Sequence, residues 1–435
     1  MKRTTFFILS FFALYNLAFG QSQIKLDFPG FAGKSFQLYY SYGSKIDSTV
    51  VVLDNTGKAD FLFPYQDFRG LVQFADRGVE VTEFVVGEPV LNIVCYAPVA
   101  NNETVTFPGS EENAFFREGL RRKTQLMEQL SWLQAGYRIY GQNAELINFI
   151  QKESGSVQNS LQTFDATIDQ SPLYAARFLQ WVGTVNRMYE ASQQRDPEKI
   201  KAVANEMETT ADIQSLYTSG QLWDNVHKIY INMFNQLDDA NKQEEYAASI
   251  NRVAARLSGP VQESFFSASV VECERINWIP AQQIIVQHIA ETYADMEFKS
   301  NRIQRLVGMY KSMQGVVAPV LIGLEPPAAQ PLLVIFYESG CGNCTIQLAE
   351  LKKYYPVIRD KGFRIVSVSA DEAENVYEYH SKDFPWEDKL CDYKGFEGEN
   401  FLSFGVIGTP SIFIIDKDGI IQGRYGRIVD TGVLE

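Results

Sequence analysis

Two cysteines separated by two residues are the part of this sequence whose spacing could do chemistry. The motif Cys341-Gly-Asn-Cys344 follows an apolar run at 332–337 and opens a segment of helical character at 345–360. At the start of a helix, unpaired backbone N–H groups and the helix dipole stabilise a thiolate. Cys341 lies just outside the first turn and gains most, whereas Cys344 is carried into the helix and shielded. The spacing lets the two sulfur atoms cycle between dithiol and disulfide.

The CXXC pair has two other interpretations. It could be half of a zinc site, but such a site needs a partner pair, and the remaining cysteines, Cys95, Cys273 and Cys391, are spread singly. It could also be a structural disulfide in an inactive domain that only binds partners. The three histidines are far apart in the chain. We predict no metal and no cofactor.

The elements around the motif predict a βαβ pattern that continues into two further strands. The predicted strands are 332–337, 363–369, 411–416 and 420–425, with helices at 345–360 and 372–382. Thr409-Pro410 immediately precedes the third of these strands, and a proline there can adopt the cis form beside the CXXC motif. An extended substrate could then pair with the backbone of Thr409.

Together, the strand–CXXC–helix arrangement, the Thr-Pro pair and the turn Asp416–Gly419 resemble the thioredoxin fold. The long separation between CXXC and proline leaves room for an inserted element at 371–400. With Val-Ser-Ala-Asp371 before it and Phe384-Pro-Trp within it, this insertion is similar to that of TlpA/ResA-type thioredoxin-like proteins. The resemblance covers about a quarter of the chain, from Pro327 to Glu435.

The resemblance implies roles for individual residues. Cys341 would attack a client disulfide, and Cys344 would resolve the mixed disulfide and leave a Cys341–Cys344 bond. Pro410 would be the cis-proline, with Thr409 offering its backbone for substrate docking. Glu338 is not part of the family pattern but lies near the motif, and it is the candidate that would replace the family's usual proton acceptor for the resolving thiol.

Four positions depart from the pattern of the family. Gly340 stands where a tryptophan is usual before the first cysteine, and Ile335 stands where the preceding strand usually carries a buried acid or amide. Gln347 replaces a glutamate found in some relatives, and Asn343 replaces the commonest proline of the dipeptide. These differences concern the redox potential and the proton-transfer route rather than the fold. Cys391, in the insertion, is either a buried free thiol or an auxiliary redox partner.

The composition is that of a globular, exported protein with several domains. Of 435 residues, 46% are hydrophobic and 21% charged, and the net charge of −14 disfavours nucleic-acid binding. Lys2 and Arg3, an apolar run and Ala-Phe-Gly20 predict a signal peptide at 1–20 with cleavage near Gly20. No cysteine follows the run, so we expect a soluble periplasmic protein rather than a lipid-anchored one.

The chain preceding the CXXC domain divides into a β region and a helical region. Short alternating runs predict a small β-sandwich domain at 21–108, and an Ala-, Glu- and Leu-rich composition predicts a helical domain at 109–317 with about seven or eight helices. Breaks are expected near Pro197, Pro260 and Pro280. Proline density predicts a linker at 318–331, before the thioredoxin-like domain at 332–435. This layout is similar to that of exported thioredoxin-like proteins of Bacteroidetes-type bacteria.

The sequence therefore predicts an exported thiol-disulfide oxidoreductase that reduces client proteins and draws on an unidentified envelope electron donor. The alternative is a non-catalytic envelope binding or assembly protein that uses the thioredoxin-like domain for docking. The size of the helical region is the only ground for expecting that it binds clients or mediates oligomerisation.

Overall fold

The computed structural model describes residues 20–293, 297–325 and 330–434. The predicted signal peptide, apart from Gly20, lies outside the described residues. The chain forms two compact units, one containing the residues up to 194 together with 211–229, the other containing 195–210 and the residues from 230 onward. The helical region contributes to both units. In the part of the chain that is described, no helix combines the length and apolarity needed to cross a membrane.

Two β-sheets form the N-terminal region. Their strands are β1 (Gln23–Asp27), β2 (Ser35–Tyr42), β3 (Lys45–Val52), β4 (Lys58–Leu62), β5 (Gly70–Asp76), β6 (Val79–Val86) and β7 (Val90–Val94). One sheet has the order β4-β1-β7, with β1 antiparallel to β4 and parallel to β7. The other has the order β3-β2-β5-β6 and is antiparallel throughout. The predicted N-terminal β architecture is confirmed.

Alternation along the strands builds the core of this region. Phe36, Leu38 and Tyr40 of β2 point to one face, where they pack with Phe28 and Phe74. The rings of Phe36 and Phe74 stack with centroids 4.6 Å apart. The residues between them in sequence point to the opposite, outer face.

Among the described residues, ten helices occupy the middle of the chain: α1 (Glu111–Ile139), α2 (Ala144–Asp169), α3 (Tyr174–Gln194), α4 (Pro197–Thr209), α5 (Ile213–Leu216), α6 (Leu222–Asn235), α7 (Lys242–Ala254), α8 (Gly259–Arg275), α9 (Ile279–Thr292) and α10 (Asn301–Lys311). The predicted breaks are confirmed, since α4, α8 and α9 each carry a proline in the first turn. The predicted number of helices was too small. Short polar connections divide segments whose composition suggests a single helix. Asn143, for example, separates α2 from α1 and caps α2 with its side chain.

The C-terminal region is a five-stranded sheet flanked by helices. Its elements are β8 (Leu332–Tyr337), α11 (Gly342–Asp360), β9 (Arg364–Ser369), α12 (Glu374–Ser381), β10 (Asp388–Leu390), α13 (Glu399–Ser403), β11 (Ser411–Ile415) and β12 (Ile421–Tyr425). The strand order is β10-β9-β8-β11-β12. Strands β8, β9 and β10 are parallel, and β11 and β12 are antiparallel to their neighbours. The predicted α/β fold of this region is confirmed.

Strand β8 is buried on both faces, which explains its uninterrupted apolar sequence. On one face Leu333 and Ile335 pack in a core with Cys344. On the other face Val334 and Phe336 pack in a second core, which also contains α13. Leu321, from the segment predicted as a linker, is buried in this second core, whereas residues 326–329 lie outside the described residues.

Two glycines let α10 approach the end of α13. A Cβ atom on Gly308 would lie 2.0 Å from the carbonyl oxygen of Leu402, and one on Gly405 would lie 2.2 Å from the main-chain nitrogen of Met309. Gly405 also has a φ of +58°, which glycine tolerates best. Because both contacts are with backbone, side-chain rearrangement cannot relieve them.

We predict that Gly308→Ala lowers the free energy of unfolding of its unit by about 1–3 kcal/mol, the usual cost of overpacking. Gly155→Ala, in the middle of α2, is the matched control, because a Cβ atom there meets nothing within 4 Å. It should stabilise its unit by about 0.5–1 kcal/mol through helix propensity. Denaturant unfolding followed by circular dichroism measures both, and a Gly308→Ala variant as stable as the unsubstituted chain would contradict the close contact.

Candidate functional site

The CXXC motif lies at the start of α11, directly after β8. Cys341 is the N-cap residue of the helix, with extended backbone angles, and its Sγ atom accepts a hydrogen bond from the main-chain nitrogen of Cys344 at 3.3 Å. A sulfur atom therefore occupies the place that a serine or aspartate oxygen normally takes at a helix N-terminus. Cys341 is half-buried, whereas Cys344 is completely buried.

The two thiols have pKa values shifted in opposite directions. Burial raises the pKa of the Cys341 thiol, but hydrogen bonds from the side chain and main chain of Cys344 and from Thr409 outweigh that effect and leave the pKa below its usual value. Burial, followed by the hydrogen bond to Cys341, raises the pKa of Cys344 to about 11. Cys341, the less buried cysteine of the pair, is thus the one that carries negative charge more readily.

The loop before β11 lies beside Cys341. The thiol of Cys341 donates to the carbonyl oxygen of Thr409 across 3.8 Å, and the Thr409–Pro410 peptide bond is cis. Both loop residues are half-buried, and Ile407 next to them is 64% exposed. The structure therefore brings together four residues that the sequence singled out from two distant segments.

A tight turn joins β8 to the helix. The main-chain nitrogen of Cys341 donates to the carbonyl oxygen of Glu338 at 3.3 Å, and Gly340, the third residue of the turn, has a φ of +86°. A turn with a left-handed residue at this position requires glycine or asparagine, which accounts for the glycine that precedes the motif. The side chain of Glu338 is exposed, and its main chain is the part that contacts the cysteines.

A buried carboxylate anchors this turn. Asp371, 6% exposed at the end of β9, accepts hydrogen bonds from the main-chain nitrogen of Ser339 at 3.1 Å and from its hydroxyl at 2.7 Å. It also accepts a bond of 2.7 Å from the hydroxyl of Ser369. Three donors on one carboxylate fix the residue that stands two positions before Cys341.

Sequence reasoning missed this anchor. Asp371 appeared there only as a mark of the family resemblance, and Ser339 and Ser369 were not considered. An aspartate that closely follows a buried parallel strand lies at the same edge of the sheet as the CXXC motif, which places Asp371 near the motif but does not identify its hydrogen-bond partners.

Two of the positions that depart from the family have structural partners. Ile335 is 1% exposed and packs in the same core as Cys344. The buried thiol therefore has an aliphatic side chain in its core where the family usually has an acid or amide. Gln347 is buried in α11, and its Oε1 atom accepts a hydrogen bond from the main-chain nitrogen of Ile428 at 2.8 Å. That amide connects α11 to the C-terminal segment.

The three other cysteines occupy separate places. The Cys391 thiol is half-buried and donates to the carbonyl oxygen of Asp371 at 3.3 Å, and burial raises its pKa. Cys95 is buried in the N-terminal β region, and burial in the helical region raises the pKa of Cys273. Cys391 therefore contacts the main chain of Asp371, the residue whose carboxylate anchors the CXXC turn.

Comparison with known proteins agrees with the geometry of this region. Residues 329–421 match the family described as thioredoxin-like. Thiol-disulfide oxidoreductase ResA from Bacillus thuringiensis subsp. konkukian is 31% identical over 93 residues, which are 21% of this chain and 53% of that protein. ResA from Bacillus cereus matches with the same values. The chain thus spans about half the length of the curated relatives it matches.

Among solved structures, the thioredoxin domain of a thiol-disulfide oxidoreductase from Bacteroides vulgatus is 27% identical. The match covers 27% of this chain and 91% of that domain, with a TM-score of 0.24. By the family match and the ResA sequences, the C-terminal region of the chain is similar to thioredoxin-like domains of the TlpA/ResA type.

Proposed function

We propose that the chain is an exported thiol-disulfide oxidoreductase that reduces the disulfides of client proteins through Cys341 and Cys344. The observation that carries the proposal is the hydrogen bond that the main-chain nitrogen of Cys344 donates to Cys341 Sγ. It accompanies a lowered pKa for the Cys341 thiol and a raised pKa for the Cys344 thiol. These shifts suit a pair in which one thiolate attacks while the other thiol is held in reserve.

The proposed reaction proceeds in two exchanges. The Cys341 thiolate attacks one sulfur of a client disulfide, forms a mixed disulfide and releases the other client sulfur as a thiolate. Cys344 then loses its proton and attacks Cys341 Sγ, which forms the Cys341–Cys344 disulfide and releases the second client thiolate. The client gains two electrons, and a dithiol electron donor in the envelope must return two electrons to the pair.

The neighbouring loop supports a docking role. Thr409 and Pro410 border Cys341, and a client segment in extended conformation would pair with the backbone of Thr409 while its sulfur meets Cys341. Glu338 is retained as the candidate for proton transfer at the exposed rim of the site. No cofactor or metal is required for this exchange.

The wider proposal concerns the whole chain. A signal peptide at 1–20 would direct export to the periplasm, and the domains would be a β-sandwich at 21–108, a helical domain at 109–317, a linker at 318–331 and the thioredoxin-like domain at 332–435. The helical region would bind clients or mediate oligomerisation.

Serine substitutions separate the redox proposal from a binding function. We expect Cys341→Ser to reduce turnover of insulin disulfides to the uncatalysed rate, because the attacking sulfur is lost. Cys344→Ser should also lose turnover but should accumulate mixed disulfides, since Cys341 still attacks and no thiol resolves the product. Non-reducing electrophoresis detects the trapped species.

Cys391→Ser is the matched control and should keep full turnover. Loss of turnover in that variant would assign Cys391 an auxiliary redox role. If client complexes form equally well when both Cys341 and Cys344 are serine, the redox proposal is wrong and the binding function replaces it.

The direction of electron flow is tested by the midpoint potential of the pair. A reductant of client proteins should have a potential of about −250 mV or below, close to that of thioredoxin. Equilibration in defined dithiol buffers, followed by counting alkylated thiols, gives the value. A potential near about −120 mV is that of an oxidant and would reverse the proposed direction.

Asp371 is proposed as a positioning residue for Cys341. Asp371→Ala should lower the free energy of unfolding by about 2–4 kcal/mol, because buried donors lose a charged acceptor. It should also move the pH midpoint of Cys341 alkylation upward, since a loosened turn weakens the cap that lowers the Cys341 pKa. Asp392→Ala removes an exposed carboxylate that bonds main-chain nitrogens in the same insertion, and it should leave that midpoint unchanged. Equal midpoints in both variants would reduce Asp371 to a purely structural role.

A further inference from the structure

A cavity of about 330 Å³ opens in the unit that contains β1–β7, on the outer face of the four-stranded sheet. Residues of β2, β3, β5 and β6 and of the connection between α5 and α6 line it. The volume lies within the range of small-molecule sites. The CXXC pair belongs to the other unit, so the cavity is not part of the site described above.

A row of polar side chains crosses the floor of the cavity. Tyr39 pairs with Gln73, and Gln73 pairs with Glu83, so these three residues stand side by side on three neighbouring strands. Ser41 lies two residues after Tyr39 on β2 and therefore points to the same face. Its partner on β3 is Ile46, which also lines the cavity.

Main-chain hydrogen bonds fix the wall of the cavity. The nitrogen of Gly43 donates to the carbonyl oxygen of Tyr217 at 2.7 Å, and that of Leu71 donates to the carbonyl oxygen of Thr218 at 2.9 Å. These two hydrogen bonds hold the connection between α5 and α6 against the four-stranded sheet. The cavity is thus formed by main-chain contacts before any ligand arrives, which lowers the entropic cost of binding.

The polar groups of the floor differ in whether they are satisfied. The Tyr39 hydroxyl donates to Gln37 Oε1 at 2.7 Å, and Gln73 Nε2 donates to Glu80 Oε2 at 2.6 Å. By contrast, the hydroxyl of Ser41, a residue only 4% exposed, has no hydrogen-bond partner among the described residues. A buried hydroxyl without a partner is costly, and a ligand group that bonds to it would remove that cost.

The charges of the cavity have one sign. Glu83 is half-buried, and burial, followed by repulsion from Glu80, raises the pKa of Glu83. Asp224 lies at the rim, where it accepts a hydrogen bond from Ser44. Among the described residues that line the cavity, none is lysine, arginine or histidine. The cavity therefore attracts cations.

We propose that this cavity binds an organic cation, a protonated amine carried on a short apolar chain. The ammonium group donates a hydrogen bond to the Ser41 hydroxyl, lies against the ring of Tyr39 and is attracted by the Glu83 carboxylate, which stands two strands away from β2. The apolar chain packs against Ile46 and Leu71. Such a ligand gives the Ser41 hydroxyl a hydrogen-bond partner and covers apolar surface in the same step.

The test compares n-butylamine with 1-butanol, which has the same chain and no charge. Ligand-observed NMR titrations of the full chain at neutral pH give the dissociation constants. We expect butylamine to bind at least tenfold more tightly than butanol. Glu83→Gln should raise the dissociation constant for butylamine at least tenfold. Ser41→Ala should also weaken butylamine binding while leaving the melting temperature equal or higher, because an unsatisfied buried hydroxyl is removed.

Glu103→Gln is the matched control, since it removes the same charge from an exposed position of the same unit. Its butylamine constant should stay within twofold of that of the unsubstituted chain. The proposal is overturned if amine and alcohol bind equally, or if Glu83→Gln and Glu103→Gln have the same effect. Because reduction of insulin disulfides should be unchanged by Glu83→Gln, failure here and failure of the proposed redox function are distinguishable.

Discussion

The hydrogen bond from the main-chain nitrogen of Cys344 to Cys341 Sγ is the interaction on which the redox site depends. It satisfies one of the donors that every helix leaves free at its N-terminus, and it does so with sulfur. The helix N-terminus stabilises a thiolate at this position more than a neutral thiol. The hydrogen bond that caps the helix therefore also lowers the pKa of Cys341. Any feature that places Cys341 at the cap position therefore also sets its chemistry.

Several elements hold the cap in place, and they were unequally visible in the sequence. The uninterrupted apolar run of β8 identified the strand to the residue, and the motif directly after it located the cap. The prolines of α4, α8 and α9 marked helix starts, because a missing N–H is tolerated best in the first turn of a helix. Such features are local, and local features can be read from one sequence.

Features that depend on contacts distant in sequence could not be read in this way. The carboxylate of Asp371 holds Ser339 across 32 positions, and the amide of Gln347 holds Ile428 across 81. Leu321 lies in the segment predicted as a linker, and its burial in the C-terminal core depends on contacts with residues far along the chain. In each case the residue type permits several partners, and only the folded chain selects one.

The outer face of the four-stranded N-terminal sheet is a further feature that depends on contacts distant in sequence. Alternation predicts which side of β2 packs in the core, and it assigns Tyr39 and Ser41 to the opposite side. Whether that side meets solvent, a helix or a cavity depends on where the connection between α5 and α6 lies. Within the part of the chain that the structure describes, the hydroxyl of Ser41 is consequently buried without a hydrogen-bond partner, although its position in the pattern is that of a surface residue.

The aliphatic surroundings of Cys344 raise the question of how the buried thiol loses its proton during the proposed reaction. Burial is the largest cause of its raised pKa, and the hydrogen bond and charge of Cys341 add to it. Once Cys341 is bonded to a client sulfur it carries no charge, so both of the latter effects disappear. The pKa of Cys344 then falls at the moment when its attack is needed, while contacts with Thr409 and the main chain of Glu338 continue to favour its thiolate. In the proposed reaction, formation of the mixed disulfide thus performs part of the activation of Cys344, a thiol that packs beside the aliphatic side chain of Ile335.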